Sequence, residues 1–347
     1  MGAVPLDVAD VTAEWLSSVL DRPIAGAEVV ARHSGTTGRT RVALTYADRD
    51  RGPSSVFVKL APFEERQRRF VDTVGLGVAE ALFYRDVAAT VPVRVPEVFH
   101  AEVDDGGGYV MVLEDLAASG CRFPSPRDDD IAEVTGRIVD ELATLHARFW
   151  EDPALDGALA FVRDGYRLAF GGGGPFVQRA IDRFADEMPP AFRRLGELYV
   201  AETPRIAELY DAGPRTLAHG DPHLGNLFVD GDRPGFYDWG MVMRRSGMWD
   251  VAYVLCNGLP AEVRRANERS WIDRYLGVLA ASGVTLDPDT AWQQYRLFAV
   301  YAWSSATSTA GVGDRWQRVE YGRAGMEAAT TAVDDLDSIS LLESLLA

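Results

Sequence analysis

Three side chains in the stretch His219–Gly240 have the types and spacing that phosphoryl transfer from a magnesium-bound nucleotide requires. The stretch begins HGDPHLGN, with Asp221 five residues before Asn226, and Asp238 opens the later triplet Asp-Trp-Gly. One carboxylate can receive or orient the proton of an attacking hydroxyl. An amide oxygen and a second carboxylate can hold the metal that neutralises the phosphates. The stretch therefore predicts phosphoryl-transfer chemistry.

The segment between these groups predicts how they come together. LFVDGDRPGFYDWG is typical of a β-hairpin, two short strands about a glycine-containing turn. Such a hairpin would fold Asp238 back beside Asn226, so that both could reach one metal ion. Asn226 offers a neutral oxygen and Asp238 a charged one, and magnesium prefers oxygen ligands.

The chain contains a single lysine, Lys59, and its other 34 basic residues are arginine. Lys59 lies in the apolar run SSVFVKLAP, where a lysine is costly unless its charge has partners. This placement indicates a specific role. Because no Gly-Lys-Ser/Thr sequence exists, the chain is not a P-loop nucleotide enzyme.

The order of predicted elements places a β-rich part before a helical part. In the first part, an amphipathic helix is predicted at 7–20, and three strands around a small-residue loop at 28–32, 40–48 and 56–60. A largely helical segment follows at 64–90, and two further strands at 95–103 and 109–113. Helices follow at 128–150, at 176–210 and from the catalytic stretch to the end. We predict a nucleotide-binding lobe at 1–115 and a helical lobe with the catalytic loop and acceptor site at 116–347.

Eight segments together resemble the aminoglycoside phosphotransferase and choline kinase superfamily, small-molecule kinases with a protein-kinase-like fold. They are FVKLAP, EALFYRDVA, VPEV, VMVLEDL, LATLHARFW, HGDPHLGNLFVD, GFYDWG and WDVAY. The resemblance covers about residues 30–330, is strongest in 219–250, and is greatest to the ecdysteroid-kinase-like branch. It implies an α+β, bilobal, protein-kinase-like fold, with a small β-rich N-lobe and a larger, mainly helical C-lobe.

The resemblance also implies roles for single residues. Asp221 would be the catalytic base or hydroxyl-orienting carboxylate, and Asn226 and Asp238 would bind Mg²⁺. Lys59 would contact the α- and β-phosphates of ATP and be held by Glu80, which is favoured over Glu64 and Glu65 because it lies in the helix that matches the family pattern. Further nucleotide contacts would come from the loop over the phosphates and the hinge that reads the adenine edge, namely Ser34, Gly35, Thr36, Thr37, Gly38, Glu114 and Leu116.

Other residues near the motif have predicted structural roles. His219, His223 and Asp250 would be architectural, with Asp250 bracing the catalytic loop from a following helix. His146, on a largely apolar helix, is interpreted as a core histidine with satisfied hydrogen bonds. For the late aromatic residues, core packing is favoured over a partly apolar acceptor pocket; they are Trp292, Tyr295, Tyr301, Trp303 and Trp316.

Composition limits the partners. The net charge of −17 argues against nucleic acid as a partner, because its phosphates demand a basic face. The acidity is spread along the chain, which favours an acidic surface over a focused cation trap. The two distant cysteines exclude a disulfide framework. Without a signal-like or membrane-spanning segment, we expect a cytoplasmic monomer or homodimer with no membrane association.

The residues are compatible with several classes of acceptor molecule. No Ala-Pro-Glu sequence or long activation loop follows Asp238-Trp239-Gly240, which argues against a protein substrate. We predict a kinase that phosphorylates a hydroxyl of a small molecule: an aminoglycoside or macrolide antibiotic, a sterol-like alcohol, choline or a sugar. The even acidity and the late aromatics favour a less charged acceptor. The alternative from another class is a pseudokinase-like module that binds a nucleotide or metabolite without turnover.

Overall fold

The computed structural model describes residues 4–47, 52–162, 173–312 and 319–347. The chain folds as two units, each of which packs mainly against itself. Unit 1 comprises Met1–Arg122 with Phe228–Val242, and unit 2 comprises Phe123–Leu227 with Met243–Ala347.

Unit 1 is built on a five-stranded sheet in which every neighbouring pair is antiparallel, in the order β1-β2-β3-β5-β4. Its strands are β1 (Ile24–Ser34), β2 (Gly38–Tyr46), β3 (Ser55–Leu60), β4 (Val98–Val103) and β5 (Tyr109–Glu114). Its helices are α1 (Ala13–Leu20), α2 (Glu65–Val74) and α3 (Leu76–Asp86). The later segment adds the β7–β8 hairpin, whose strands are Leu227–Asp230 and Arg233–Phe236.

The central strands of this sheet are apolar because both of their faces are covered. β5 is buried from Tyr109 to Leu113. One face packs against α1 and the first residues of the chain, in a cluster formed by Val4, Val11, Leu16, Ile24, Val42, Val56, Val58, Leu60, Val110 and Val112. This core holds β3, the strand that carries Lys59, in a fixed register between β2 and β5.

Residues 228–242, predicted from the sequence as part of the C-terminal lobe, belong to unit 1. The reason is local pairing. Val229 forms an isolated bridge with Arg122, and Gly235 forms one with Arg94. A Cβ on Gly235 would lie 2.8 Å from the Arg94 carbonyl oxygen, so the absence of a side chain permits this approach.

Unit 2 is mainly helical. Its helices are α4 (Ile131–Arg148), α5 (Gly174–Phe184), α6 (Pro190–Leu209), α7 (Met248–Cys256), α8 (Ala261–Ala281), α9 (Pro288–Val312), α10 (Val319–Asp335) and α11 (Ser338–Leu346). Two short strands, β6 (Thr216–Ala218) and β9 (Met243–Arg245), pair antiparallel. Helix α9 is the centre of the packing, since it contacts α5, α7 and α10.

The predicted α+β organisation is confirmed, while several boundaries differ. The helix predicted at 7–20 begins at Ala13, after Thr12 accepts the Trp15 N–H as its N-cap. The helical segment at 64–90 is divided at Gly75, whose φ of 70° ends α2 and allows α3 to begin in a new direction. Within the described ranges, every helix is too short or too polar to cross a bilayer.

Candidate active site

A lysine, a glutamate and an aspartate meet in unit 1. Lys59 Nζ on β3 donates to Glu80 Oε1 on α3 at 2.5 Å and to Asp238 Oδ1 at 3.0 Å. The Lys59 and Glu80 side chains are 4% and 1% exposed, and Asp238 is 21% exposed. The structure thus brings together three residues predicted to bind nucleotide or metal, of which Lys59 and Asp238 lie 179 positions apart in sequence.

Glu80 is held in an environment that disfavours its charge. Burial raises its pKa from 4.5 to about 7, and Asp238 adds to the shift, although Lys59 opposes it. In the described part of the chain, Glu80 Oε2 has no hydrogen-bond partner. Burial outweighs the short Lys59 contact, because that contact satisfies only one of the two carboxylate oxygens.

Asp238 is positioned by the aromatic residue that follows it. The Trp239 indole stacks on Phe83 of α3, with ring centroids 4.0 Å apart and planes at 9°. Phe83 lies one helical turn after Glu80, so this stack fixes α3 beside the Asp-Trp-Gly turn. Asp238 itself has φ 63° and ψ 60°, a left-handed conformation that few side chains adopt without strain.

The predicted phosphate loop is a tight turn between β1 and β2. Gly38 ends it, and a Cβ there would lie 2.6 Å from both the Ala61 carbonyl oxygen and the Phe63 ring. Ser34 begins the turn; its hydroxyl donates to Gln67 Oε1 at 2.8 Å and accepts the Phe63 N–H. The turn is therefore anchored at both ends by the segment that follows β3.

The tip of this turn is held by its own backbone and by an arginine that the motif does not predict. The Gly35 N–H donates to the Thr37 carbonyl oxygen at 3.1 Å, with Thr36 between them. Arg39 Nε donates to Thr37 Oγ1 at 3.3 Å, and Arg39 Nη2 lies 3.4 Å from Asp238 Oδ2. Only the register of β2 against β3, which places Arg39 opposite Lys59, could have indicated this role.

Of the two predicted hinge residues, Glu114 is the last residue of β5 and Leu116 lies two positions after it. The Glu114 carboxylate accepts from Arg94 Nη2 at 2.8 Å and from the Glu97 N–H at 3.0 Å. The Glu114 N–H donates to the Glu97 carbonyl oxygen, and the Leu116 carbonyl oxygen accepts from Cys121. Because the Glu114 side chain is engaged within unit 1, a base-reading role would fall to backbone groups.

The predicted catalytic loop lies in unit 2, and its aspartate and asparagine contact each other. Asn226 Nδ2 donates to the Asp221 carbonyl oxygen at 2.9 Å and to Asp221 Oδ2 at 3.1 Å. Both of these groups are acceptors, so the amide nitrogen of Asn226 must face them. The amide oxygen, Oδ1, is then the Asn226 atom that can bind a cation.

The backbone before Asp221 is fixed by a buried carboxylate on α7. Asp250 accepts the His219 N–H at 2.6 Å and the Gly220 N–H at 2.9 Å. His146 Nε2 lies 3.2 Å from Asp250 Oδ2, and His146 Nδ1 lies 2.9 Å from the Tyr275 hydroxyl. Asp250 and His146 are fully buried. The predictions that Asp250 braces the loop and that His146 is a satisfied core histidine are confirmed.

His223 contacts the loop on its other side. Its Nδ1 accepts the Gly225 N–H at 3.0 Å, so the neutral ring carries its proton on Nε2. That nitrogen lies 3.6 Å from Asp221 Oδ2. Burial, followed by the nearby Asp221 carboxylate, also raises the pKa of Tyr253 well above its ordinary value. His223 and Tyr253 are thus both neighbours of Asp221. His223 belongs to the HGDPHLGN motif, whereas Tyr253 lies on α7.

The late aromatic residues pack mainly in the core of unit 2. Trp303 and Tyr295 are fully buried, and Trp303 Nε1 donates to Thr330 Oγ1 at 3.1 Å. Tyr301 differs, since its hydroxyl donates to the Gly220 carbonyl oxygen at 3.0 Å. Trp316 lies outside the described residues. The preference for core packing is confirmed for Trp303 and Tyr295.

The sequence of the chain matches the model of the phosphotransferase enzyme family, APH, over residues 30–298. The chain belongs to this family. No curated protein sequence gives a significant match. Family membership makes the chain a small-molecule kinase, and such a phosphotransferase binds a nucleotide.

Solved structures show that this phosphotransferase has the bilobal, protein-kinase-like fold predicted from its sequence. A protein assigned as a fructosamine-3-kinase of Thermobifida fusca YX-ER1 is 20% identical, with a TM-score of 0.52 over 94% of this chain and 100% of that one. Choline kinase of Cryptosporidium parvum Iowa II is 12% identical, with a TM-score of 0.55 over 93% and 91%. The GDP complex of aminoglycoside 2'-phosphotransferase-IIIa is 14% identical, with a TM-score of 0.54 over 92% and 96%. These low identities establish the fold alone.

Proposed function

We propose that this phosphotransferase uses ATP and Mg²⁺ to phosphorylate a hydroxyl group of a small molecule, with Asp221 as the catalytic base. The observation that carries the proposal is the contact between Asp221 and Asn226, at 2.9 and 3.1 Å, on a loop braced by Asp250. This arrangement orients one carboxylate and leaves the amide oxygen of Asn226 as the atom that could bind a cation. A loop with incidental acids would need neither feature.

We propose Asn226 and Asp238 as the protein ligands of the magnesium ion. Asn226 would contribute its Oδ1 atom, and Asp238 would contribute a carboxylate oxygen; both are the hard oxygen ligands that Mg²⁺ prefers. Two protein ligands suit a metal whose remaining positions are filled by phosphates and water. When bound, the ion would neutralise the charge that develops on the phosphates.

The nucleotide would lie along unit 1. Lys59 would contact the α- and β-phosphates while Glu80 holds its ammonium group. The loop of Ser34, Gly35, Thr36, Thr37 and Gly38 would cover the phosphates through its backbone N–H groups. The backbone at Glu114 and Leu116 would read the base. We propose ATP as the donor, and GTP should be tested beside it, since one structural neighbour was solved with GDP.

The transfer would be direct and in line. The acceptor oxygen forms a bond to the γ-phosphorus, the bond from that phosphorus to the β–γ bridging oxygen breaks, and ADP leaves. The proton of the acceptor hydroxyl moves to the Asp221 carboxylate. No enzyme side chain carries the phosphate, so catalysis rests on positioning and on charge neutralisation.

For the acceptor we propose a hydroxyl compound with little positive charge. Two carboxylates of unit 2 are already engaged, Asp250 by His146 and Asp211 by Arg245 at 2.7 Å. A polycationic aminoglycoside needs carboxylates that are available to it. Aminoglycoside, macrolide, choline and sterol-like acceptors belong in the first panel of compounds, the last because the ecdysteroid-kinase-like resemblance stays a prediction. We propose a monomer or homodimer as the working form.

The test is to incubate the protein with labelled ATP and a metabolite extract, then identify any phosphorylated product by mass spectrometry. The Asp221→Asn variant should lose transfer by at least about a thousandfold, because the base is gone, while ATP affinity stays within about threefold. The matched control is Asp273→Asn, an exposed carboxylate on α8, which should keep full activity.

Full activity of Asp221→Asn would overturn the proposal. Label that accumulates in protein rather than in small molecules would indicate a protein kinase instead. Stabilisation by Mg-ATP without transfer to any acceptor in a broad panel would favour the binding module without turnover.

A further inference from the structure

Two cations lie side by side in unit 1. Arg39 on β2 is the register partner of Lys59 on β3. Directly opposed residues of an antiparallel pair project from the same face of the sheet, and like charges in that position destabilise it. A sequence that keeps both cations there needs anions between them.

The structure shows which anions balance the pair. Asp238 presents one carboxylate oxygen to each cation, Oδ1 to Lys59 at 3.0 Å and Oδ2 to Arg39 at 3.4 Å. Glu80 takes a second contact from Lys59 at 2.5 Å. Asp238, the proposed metal ligand, therefore contacts both cations, and Glu80 contacts Lys59 alone.

Arg39 is held less closely than Arg41 and Arg94, two other arginines near the sheet. Arg41 Nη2 lies 2.8 Å from Asp115, and Arg94 Nη2 lies 2.8 Å from Glu114. Arg39 lies 3.4 Å from its carboxylate, and its side chain is 32% exposed. A guanidinium that is partly open to solvent and loosely paired can exchange its partner at low cost.

The position of Arg39 points to the phosphate loop. Its Nε atom donates to Thr37 Oγ1 at 3.3 Å. A Cβ built on Gly35 would lie 4.0 Å from Arg39 Nη2, so the guanidinium lies against the turn. The planar fork of an arginine matches the oxygens of a phosphate group.

We infer that Arg39 is a second phosphate-binding cation, which pairs with Asp238 when nucleotide is absent and with the phosphate chain when nucleotide is bound. This inference rests on the proposed function, in which Lys59 and Asp238 bind the nucleotide and its metal. The exchange releases Asp238 Oδ2 at the time the carboxylate is needed. Arg39 thus links the arrival of phosphate to the freeing of a metal ligand.

The inference is tested by nucleotide binding rather than by turnover. The dissociation constants of ATP and adenosine are measured by calorimetry with excess EDTA, so that no metal takes part. Arg39→Gln should weaken ATP binding by about tenfold or more, since it removes a charge-assisted contact, and should leave adenosine binding unchanged. Arg39→Lys should retain part of the affinity.

The matched control is Arg85→Gln, which makes the same charge change on α3, where Arg85 pairs with Asp86 at the surface. It should bind both ligands as the parent does. Lys59→Gln separates the two proposals. If Arg39→Gln binds ATP normally while Lys59→Gln does not, the role of Arg39 is overturned and the proposed function stands. If neither change affects ATP binding, the nucleotide site itself is misplaced.

A double-mutant cycle tests the exchange directly. Asp238→Asn should tighten ATP binding measured with excess EDTA, because Arg39 then no longer has to leave a carboxylate in order to contact the phosphates. In an Arg39→Gln background, the same change should have an effect at least about threefold smaller. Equal effects in both backgrounds would show that Asp238 acts only through its charge and would contradict the exchange.

Discussion

Each unit contains a buried carboxylate beside its own candidate site residues, and the two carboxylates are satisfied in different ways. Asp250 in unit 2 accepts two backbone N–H groups and contacts His146. Glu80 in unit 1 has Lys59 on one oxygen, and its other oxygen has no hydrogen-bond partner in the described part of the chain. Backbone donors are neutral and fixed, whereas an ammonium group on a flexible stem can move.

The difference matches the work that each region is proposed to do. The loop with Asp221 must hold one geometry while a proton moves, and Asp250 fixes its backbone. The cluster of Lys59, Arg39, Glu80 and Asp238 must exchange partners when a phosphate chain enters, and it is held by ion pairs. Rigidity at the proposed base and exchange at the proposed phosphate site would thus rest on two kinds of hydrogen bond.

The largest expected effect comes from removing the rigid support. Asp250→Ala should lower the free energy of unfolding by about 3–5 kcal/mol, because two backbone N–H groups and His146 lose their partner inside the core. Transfer should fall strongly even where the variant is folded. Denaturant unfolding followed by circular dichroism measures the first effect.

Asp273→Ala, on the exposed face of α8, is the control and should change stability by less than about 0.5 kcal/mol. If Asp250→Ala unfolds at the same denaturant concentration as this control, Asp250 is not the support that the contacts indicate.

The second-largest expected effect is a pH dependence of the unfolding free energy, which arises from Glu80. With its pKa raised from 4.5 to about 7, the folded protein keeps a proton on Glu80 that the unfolded chain has released. The stability from this proton is fully present below about pH 4.5 and is lost as the pH rises through about 7. Relative to Glu80→Gln, the parent should lose up to about 3 kcal/mol of unfolding free energy between about pH 5 and 8.

The control is Glu65→Gln, whose carboxylate is 76% exposed and which should track the parent across the range. Unfolding curves at several pH values give the comparison. A difference in unfolding free energy between parent and Glu80→Gln that stays constant with pH would show that Lys59 keeps Glu80 fully ionised. The carboxylates of Glu80 and Asp250 would then be equally fixed.

The smallest effect is expected at His223. Asn in its place can still accept the Gly225 N–H through its side-chain oxygen, but it cannot reach Asp221 as the imidazole does. His223→Asn should lower kcat by about threefold, leave KM for ATP unchanged, and alter stability by less than about 0.5 kcal/mol. An effect as large as that of Asp250→Ala would place His223 among the rigid supports.

Much of the site could be predicted because its signals are local. The spacing from Asp221 to Asn226 and the hairpin after it are short-range features, and a lone lysine in an apolar strand already implies partners. Glu80 could be chosen because it lies on the helix that follows. The membership of residues 228–242 in unit 1 could not be read in the same way, since it depends on bridges to Arg94 and Arg122.

The sequence by itself determined the chemistry, because residue types at fixed short spacing decide which atoms a loop can offer. Tertiary structure decided the partners of those atoms. Strand register placed Arg39 opposite Lys59, and helix packing placed Asp250 beneath the loop at 2.6 Å from the His219 nitrogen. It also assigned Trp303 to the core. Long-range contacts of this kind depend on how whole elements pack, which no local spacing specifies.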